Sequence, residues 1–387
     1  MSETAIGSVE MLRRLVAFDT TSRGSNLALI EYVRDYLDGF GVASELVFDE
    51  TGNKANLFAT IGPPERGGIM LSGHTDVVPI DGQDWHTEPF AMTAKDGRLY
   101  ARGTADMKGF IAAALALVPD LLARRLRTPI HLALSYDEEV GCLGVRRLIA
   151  AFADRPNRPL LCIVGEPTLM QPATGHKGKR SFHCHVAGFE CHSALTHLGV
   201  NAVEAAAELV AQLKAMARRR RDKGPFNPAF EPPYTTIHTG LISGGTALNI
   251  VPKECHFDFE YRLLPGDDPE APLKELRDFA EERLLPEMRA VRPEAAIEFA
   301  ELSSFPALDT AEDAEITRLV MTLTGANGTG KVSFGTEGGL FHQAGIPTIV
   351  CGPGSIEQAH KPDEFVDLDQ IAQCERFLRR LFDHASA

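Results

Sequence analysis

Short apolar runs that alternate with longer amphipathic segments constrain this chain more than any other feature. Strand-like runs lie around 55–61, at 68–73, at 129–136 (PIHLALSY) and at 159–165 (PLLCIVG), with helical segments near 8–18, 26–40, 107–124 and 141–153. Alternation of this kind predicts an α/β fold, in which a mostly parallel sheet is covered by helices on both faces.

The pattern changes after Lys179. A strand RSFHCHVAG, a helix over 200–221, strands near 235–242 and 253–262, a helix over 269–285 and a strand over 296–302 read in the order βαββαβ. That is a complete ferredoxin-like unit, small enough to be an inserted domain. The 387 residues exceed what one hydrophobic core usually serves, so two domains are expected. The first would comprise 1–178 and 304–387, the second 179–303. The closing stretch returns to helix (311–324), helix (337–344), strand (346–352) and a final helix from about Leu368, which would rejoin the first sheet.

Composition narrows the function. A formal net charge of -14 argues against a nucleic-acid partner, which needs a clustered basic footprint. The most apolar run, GFIAAALALVPDLLA from Gly109, is broken by Pro119 and Asp120 before it reaches the length a bilayer requires, so no membrane span is expected. The opening MSETAIGSVEMLRRL lacks the layout of a secretory leader. Seven scattered cysteines contain no C-x-x-C pair, which predicts neither a disulfide framework nor a zinc ribbon and fits a reducing cytoplasm.

Metal-competent residues gather just past the ends of the strands: His74 and Asp76, Glu138 and Glu139, and Glu166. In an open parallel sheet, ligands bind at that edge. Asp106, in ARGTADMKG before a helix, and His360, in the loop CGPGSIEQAHKP, can reach the same place. Histidines and carboxylates without thiolates suit zinc, cobalt or manganese. Two ions need a bridging group, and Asp106 is the candidate. His74 and Glu166 would then hold one ion, Glu139 and His360 the other. Two ions about 3.5 to 4 Å apart acidify a water and polarise a carbonyl. Asp76 is placed to accept a hydrogen bond from the His74 nitrogen that does not bind metal. Glu138, pointing away from its neighbour, is the candidate proton shuttle between water and leaving amine.

These segments, GHTDVVP (73–79), ARGTADMKG (101–109), DEEVGCLG (137–144), GEPT (165–168) and GPGSIEQAHKPDE (352–364), together resemble the di-zinc amidohydrolase and metallopeptidase family of acetylornithine deacetylase, succinyl-diaminopimelate desuccinylase, aminoacylase and bacterial glutamate carboxypeptidase. The likeness covers nearly the whole chain. It implies that the inserted domain is a lid that also forms a homodimer. The activity it implies is metal-dependent hydrolysis of an N-acyl amino acid. N2-acetyl-L-ornithine of arginine biosynthesis is the expected substrate, with desuccinylase or general aminoacylase activity, or a non-catalytic binding homologue, as the alternatives. From the lid it implies His192 as an oxyanion donor, with His197 five residues on as a competitor, and Asn249 and Arg262 as grips on a substrate carboxylate. Glu337, in FGTEGGLF, matches an acid that can meet a side-chain ammonium.

Other features have plainer readings. GANGTGK (325–331) has phosphate-loop spacing, but Val332 stands where Ser or Thr would hold magnesium and a helix precedes it. Arg218 to Arg221 end a helix, where cations offset the dipole. Val203, Leu209, Val210 and Leu213 are spaced to pack on the lid's sheet.

Overall fold

The computed structural model describes residues 5–387, so the first four residues of the opening stretch read for a leader lie outside it. Packing divides the chain into two units: 5–175, 308–332 and 336–387 form the first, and 176–307 with 333–335 the second.

The first unit is built on a nine-stranded sheet. Its four central strands run in the order Ile130–Ser135, Ile69–His74, Leu161–Pro167 and Thr348–Gly352, all parallel. Every residue in them is buried, as sequences covered on both faces must be. The flanks are antiparallel: Ala55–Ile61 pairs Ile130–Ser135, and Ala173–His176 pairs Thr348–Gly352. On one face the helix Gly109–Ala116 packs through Phe110, Ile111 and Ala114 on Leu71, Leu132 and Leu134. On the other, Phe152 of the helix Gly144–Phe152 meets Phe58, which stacks on His131.

Two glycines set how closely the first helix approaches. A Cβ at Gly165 would lie 2.0 Å from the Phe110 ring, and one at Gly73 would lie 2.9 Å from Ile111. Both glycines immediately precede candidate ligands, Glu166 and His74, so the helix is drawn tight against the strand ends that carry them. Overpacking at such a contact costs about 1 to 3 kcal/mol.

The second unit is a four-stranded antiparallel sheet in the order Thr236–Gly244, Glu254–Leu263, Gly178–Ala187, Ala296–Phe305. The two strands adjacent in its centre are not consecutive in the chain, which is the ferredoxin-like arrangement. Phe182, Cys184 and Val186 alternate with half-buried positions and, with Phe257, Phe259 and Tyr261, form a core under the helices Ala202–Lys223 and Ala271–Phe279. Leu209 and Leu213 are buried there, and Val203 and Val210 pack at its margin. The long helix opens on Asn201, whose Oδ1 accepts the amides of Val203 and Glu204.

Some local readings change. The helix expected over 107–124 is broken at Leu117 into Gly109–Ala116 and Val118–Leu122, with Pro119 at the start of the second piece. The helix expected from Gly141 begins at Gly144, because 138–143 form a turn through Glu138 O to the amides of Gly141 and Cys142. Ser44–Phe48 and a small sheet of Thr93–Lys95, Arg98–Tyr100 and Phe365–Asp367 are additional. GANGTGK joins the C-cap of Glu315–Thr324, Gly325, to an edge strand Gly330–Val332. Among the described residues the cysteines are unpaired and no helix is long and apolar enough to cross a membrane.

Candidate metal centre

The parallel strands deliver three acids and a histidine to one edge. His74 is the last residue of its strand, and Glu166 is the last but one of the next. Glu138 and Glu139 lie in the turn that follows Ile130–Ser135. Asp106 arrives from the segment before Gly109–Ala116, and its two oxygens divide between two imidazoles. Oδ1 is 2.9 Å from His74 Nε2, and Oδ2 is 3.3 Å from His360 Nε2. His74 Nε2 also lies 3.5 Å from Glu166 Oε1, and His360 Nε2 lies 3.0 Å from Glu139 Oε2. His74, Asp106 and Glu139 offer donor atoms within 4.8 Å of one another, as do His74, Glu138 and Glu166.

This arrangement buries more negative charge than its histidines balance. Burial, reinforced by the Asp106 charge, pushes Glu139 up to about 7. Burial and neighbouring charges likewise hold Glu138 and Glu166 well above the usual carboxylate range. Burial acts against a charged His74, yet hydrogen bonds to Asp106 and Asp76 raise it well above its ordinary value. His360 rises to about 10 through Asp106 and Glu139. Asp106 is lowered instead: burial opposes its charge, but His360 and His74 outweigh burial. Hard and borderline donors with surplus negative charge, sharing one two-oxygen group, fit a pair of divalent cations.

Asp76 does more than the sequence suggests. His74 Nδ1–H donates chiefly to the Asp76 main-chain oxygen at 2.9 Å, while Oδ1 stands at 3.5 Å. The carboxylate accepts the amides of Glu138 (3.1 Å) and Glu139 (3.2 Å) and the Ser22 hydroxyl (2.7 Å). It therefore fixes both the histidine and the turn carrying the two glutamates. The Cys142 thiol, in turn, donates to Glu138 Oε1 at 3.3 Å.

Glu337 is 1% exposed, below the same strand ends. Ser72 Oγ donates to its Oε2 at 3.3 Å, and its Oε1 is buried without a hydrogen-bond partner. Burial raises it to about 7.

The remaining sequence candidates belong to the second unit. His192 caps the short turn Ser193–Leu198, its Nδ1 accepting the Ala194 amide at 3.1 Å. The loop carrying Asn249 lies alongside, through the Ser193 amide to Asn249 O and a bridge between His192 and Ile250. His197 is exposed in the same turn. Arg262 is not a free cation: its Nε donates to Glu260 Oε1 at 3.0 Å, and Glu260 also pairs with Lys179.

Sequence reasoning passed over Arg102 and Glu364, although both stand inside segments it quoted. Glu364 Oε1 accepts the amides of Ala105 (2.9 Å) and Asp106 (3.1 Å), and its Oε2 pairs with Arg102. Glu364 follows Lys361 and Asp363 in an already charged stretch, so no local signal marks it.

Comparison with known proteins agrees with this geometry. Residues 70–384 match the model of Peptidase family M20/M25/M40. An acetylornithine deacetylase of Myxococcus xanthus is 37% identical, with 99% of each chain covered. One of Proteus mirabilis is 36% identical over 97% of this chain and 96% of its own. Among solved structures, an M20 family metallo-carboxypeptidase of Sulfolobus solfataricus superposes with a TM-score of 0.78 at 17% identity, covering 98% and 99% of the two chains. A dinuclear metal-binding M20 peptidase of Bacillus subtilis gives 0.68 at 15% identity, covering 96% of each. The chain thus belongs to peptidase family M20/M25/M40, as a dinuclear-metal amidohydrolase.

Proposed function

We propose that the protein removes the acetyl group of N2-acetyl-L-ornithine with two zinc ions, releasing ornithine and acetate. The observation that carries the reading is Asp106, one carboxylate spread over two imidazoles, each with its own further acid. His74 and Glu166 would hold one ion, His360 and Glu139 the other, and Asp106 both. When bound, such ions polarise the acyl carbonyl and make a water nucleophilic. The choice of ornithine rests on the relatives' name, acetylornithine deacetylase.

The chain's own residues would perform the rest. Glu138, whose proton affinity burial raises well above that of an ordinary carboxylate, takes the proton of the attacking water and passes it to the leaving amine. Asp76 keeps His74 and both glutamates in register. Because His192 Nδ1 accepts a hydrogen bond, its neutral ring carries the proton on Nε2, the tautomer an oxyanion donor needs. Asn249 and Arg262 would take the α-carboxylate. Glu337, with one oxygen unpaired, would meet the terminal ammonium. The same reading has the enzyme working in the cytoplasm, as a homodimer through its second unit. A panel of N-acetylornithine, N-succinyl-diaminopimelate and N-acetylmethionine tests it on zinc-loaded protein. N-acetylornithine should have the highest kcat/KM, and a preference for the succinyl substrate would contradict the assignment.

A further inference from the structure

The face of the second unit's sheet that its helices leave uncovered carries a histidine cluster that the reaction above does not use. His183 and His185 are two apart on Gly178–Ala187 and so share that face. On the neighbouring strand, His256 stands directly across from His185, and Asp258 across from His183.

The hydrogen bonds order the protons. A carboxylate only accepts, so His183 donates Nδ1–H to Asp258 Oδ1 at 2.6 Å. His183 Nε2 is then an acceptor, and it lies 3.1 Å from His256 Nδ1, which must carry the proton between them. His256 Nε2 is left with a bare lone pair. This is the tautomer and orientation that a carboxylate-anchored histidine presents to a metal.

Two further donors lie beside it. Glu254 Oε2 lies 3.9 Å from His256 Nε2. His185 stacks on His256, with centroids 4.5 Å apart and planes 4° apart, so its ring has to turn about the Cβ–Cγ bond to share an ion with His256. Its Nε2 is buried and has no hydrogen-bond partner among the described residues. One donor atom from each of His185, His256 and Glu254 lies within 4.8 Å of the others. Around a four-coordinate ion at about 2.0 to 2.1 Å, donors sit roughly 3.4 Å apart. The half-exposed Glu254 side chain has the freedom to close that gap. Glu254 and His256 also line a cavity of about 290 Å³ with Glu190, Ser243, Thr246 and Lys253, which gives an ion access from water.

We propose that His185, His256 and Glu254 bind one divalent transition-metal ion, of the zinc, nickel or copper type that two imidazoles and a carboxylate select. Asp258, acting through His183, positions His256 for it. The site adds one ion to whatever the Asp106 centre holds.

Dialysis of the purified full-length protein against Zn2+, followed by elemental counting, tests this. The unmodified protein should hold one ion per chain more than either His185→Gln or His256→Gln, with N-acetylornithine hydrolysis unchanged in both. Asp258→Asn should keep the site but weaken it about 10- to 100-fold. Equal counts in the unmodified protein and both folded variants would overturn the proposal while leaving the Asp106 centre untouched. Melting curves on each variant separate loss of a ligand from loss of the fold.

Discussion

Arg102 and Glu364 form an ion pair at 2.7 Å in which each side chain is 1% exposed, and the second Glu364 oxygen holds the main-chain amide of Asp106. The carboxylate proposed to bridge the two ions is thereby placed by a charge pair outside the proposed ligand set.

Glu364→Ala should destabilise the protein by about 3 to 5 kcal/mol, because it leaves a buried guanidinium uncompensated. It should also loosen Asp106 and lower metal content. Removing both charges in Arg102→Met with Glu364→Leu should recover much of the stability but not the metal affinity. Denaturant melts beside elemental counting distinguish the two effects.

Glu138→Gln should retain its metal and lose about 10² to 10⁴ in turnover, as removal of a general base does. Glu139→Gln, whose carboxylate pairs with His360, should lose metal instead. A Glu138 variant with near-normal turnover would remove it from the role of proton shuttle.

Most of this was legible in the chain because the site sits at strand ends. His74, Glu166 and the Glu138–Glu139 turn follow apolar runs whose length and position mark buried parallel strands, and the structure brings them together with Asp106 and His360. What was not legible depends on pairings distant in sequence. Glu364 reaches Asp106 across 258 residues, and no local period reports that. Ser44–Phe48 is a half-exposed edge strand, and the strands of the small sheet have three residues each, too few for an alternating pattern to register. Arg262, expected from the sequence to grip a substrate carboxylate, is already bonded to Glu260, two residues away on the same sheet face.

Metal-free protein should lose stability as pH rises from about 5 to about 8. Glu139 and Glu337, at about 7, are raised above their unfolded values, so their contribution is full at low pH and is lost as they ionise through that range. His360, at about 10, changes in the same direction over the upper part of the window. Added Zn2+ should flatten the curve and release protons, since its ligands must be deprotonated. Thermal melts with chelator and with zinc, over this pH range, check the sign.

Glu337→Gln should impair N-acetylornithine much more than N-acetylmethionine, by about 2 to 5 kcal/mol in kcat/KM, because only the former brings a cation to the unpaired Oε1. Equal losses on both substrates would make Glu337 a support for Ser72 and the strand beneath the site.

The central claim is that Asp106 is shared by two ions, and the metal content of Asp106→Asn tests it most directly. Elemental counting on the folded variant should show a fall of two ions per chain relative to the unmodified protein, with hydrolysis of N-acetylornithine abolished. A variant that keeps both of those ions, or loses only one, would contradict a bridging carboxylate.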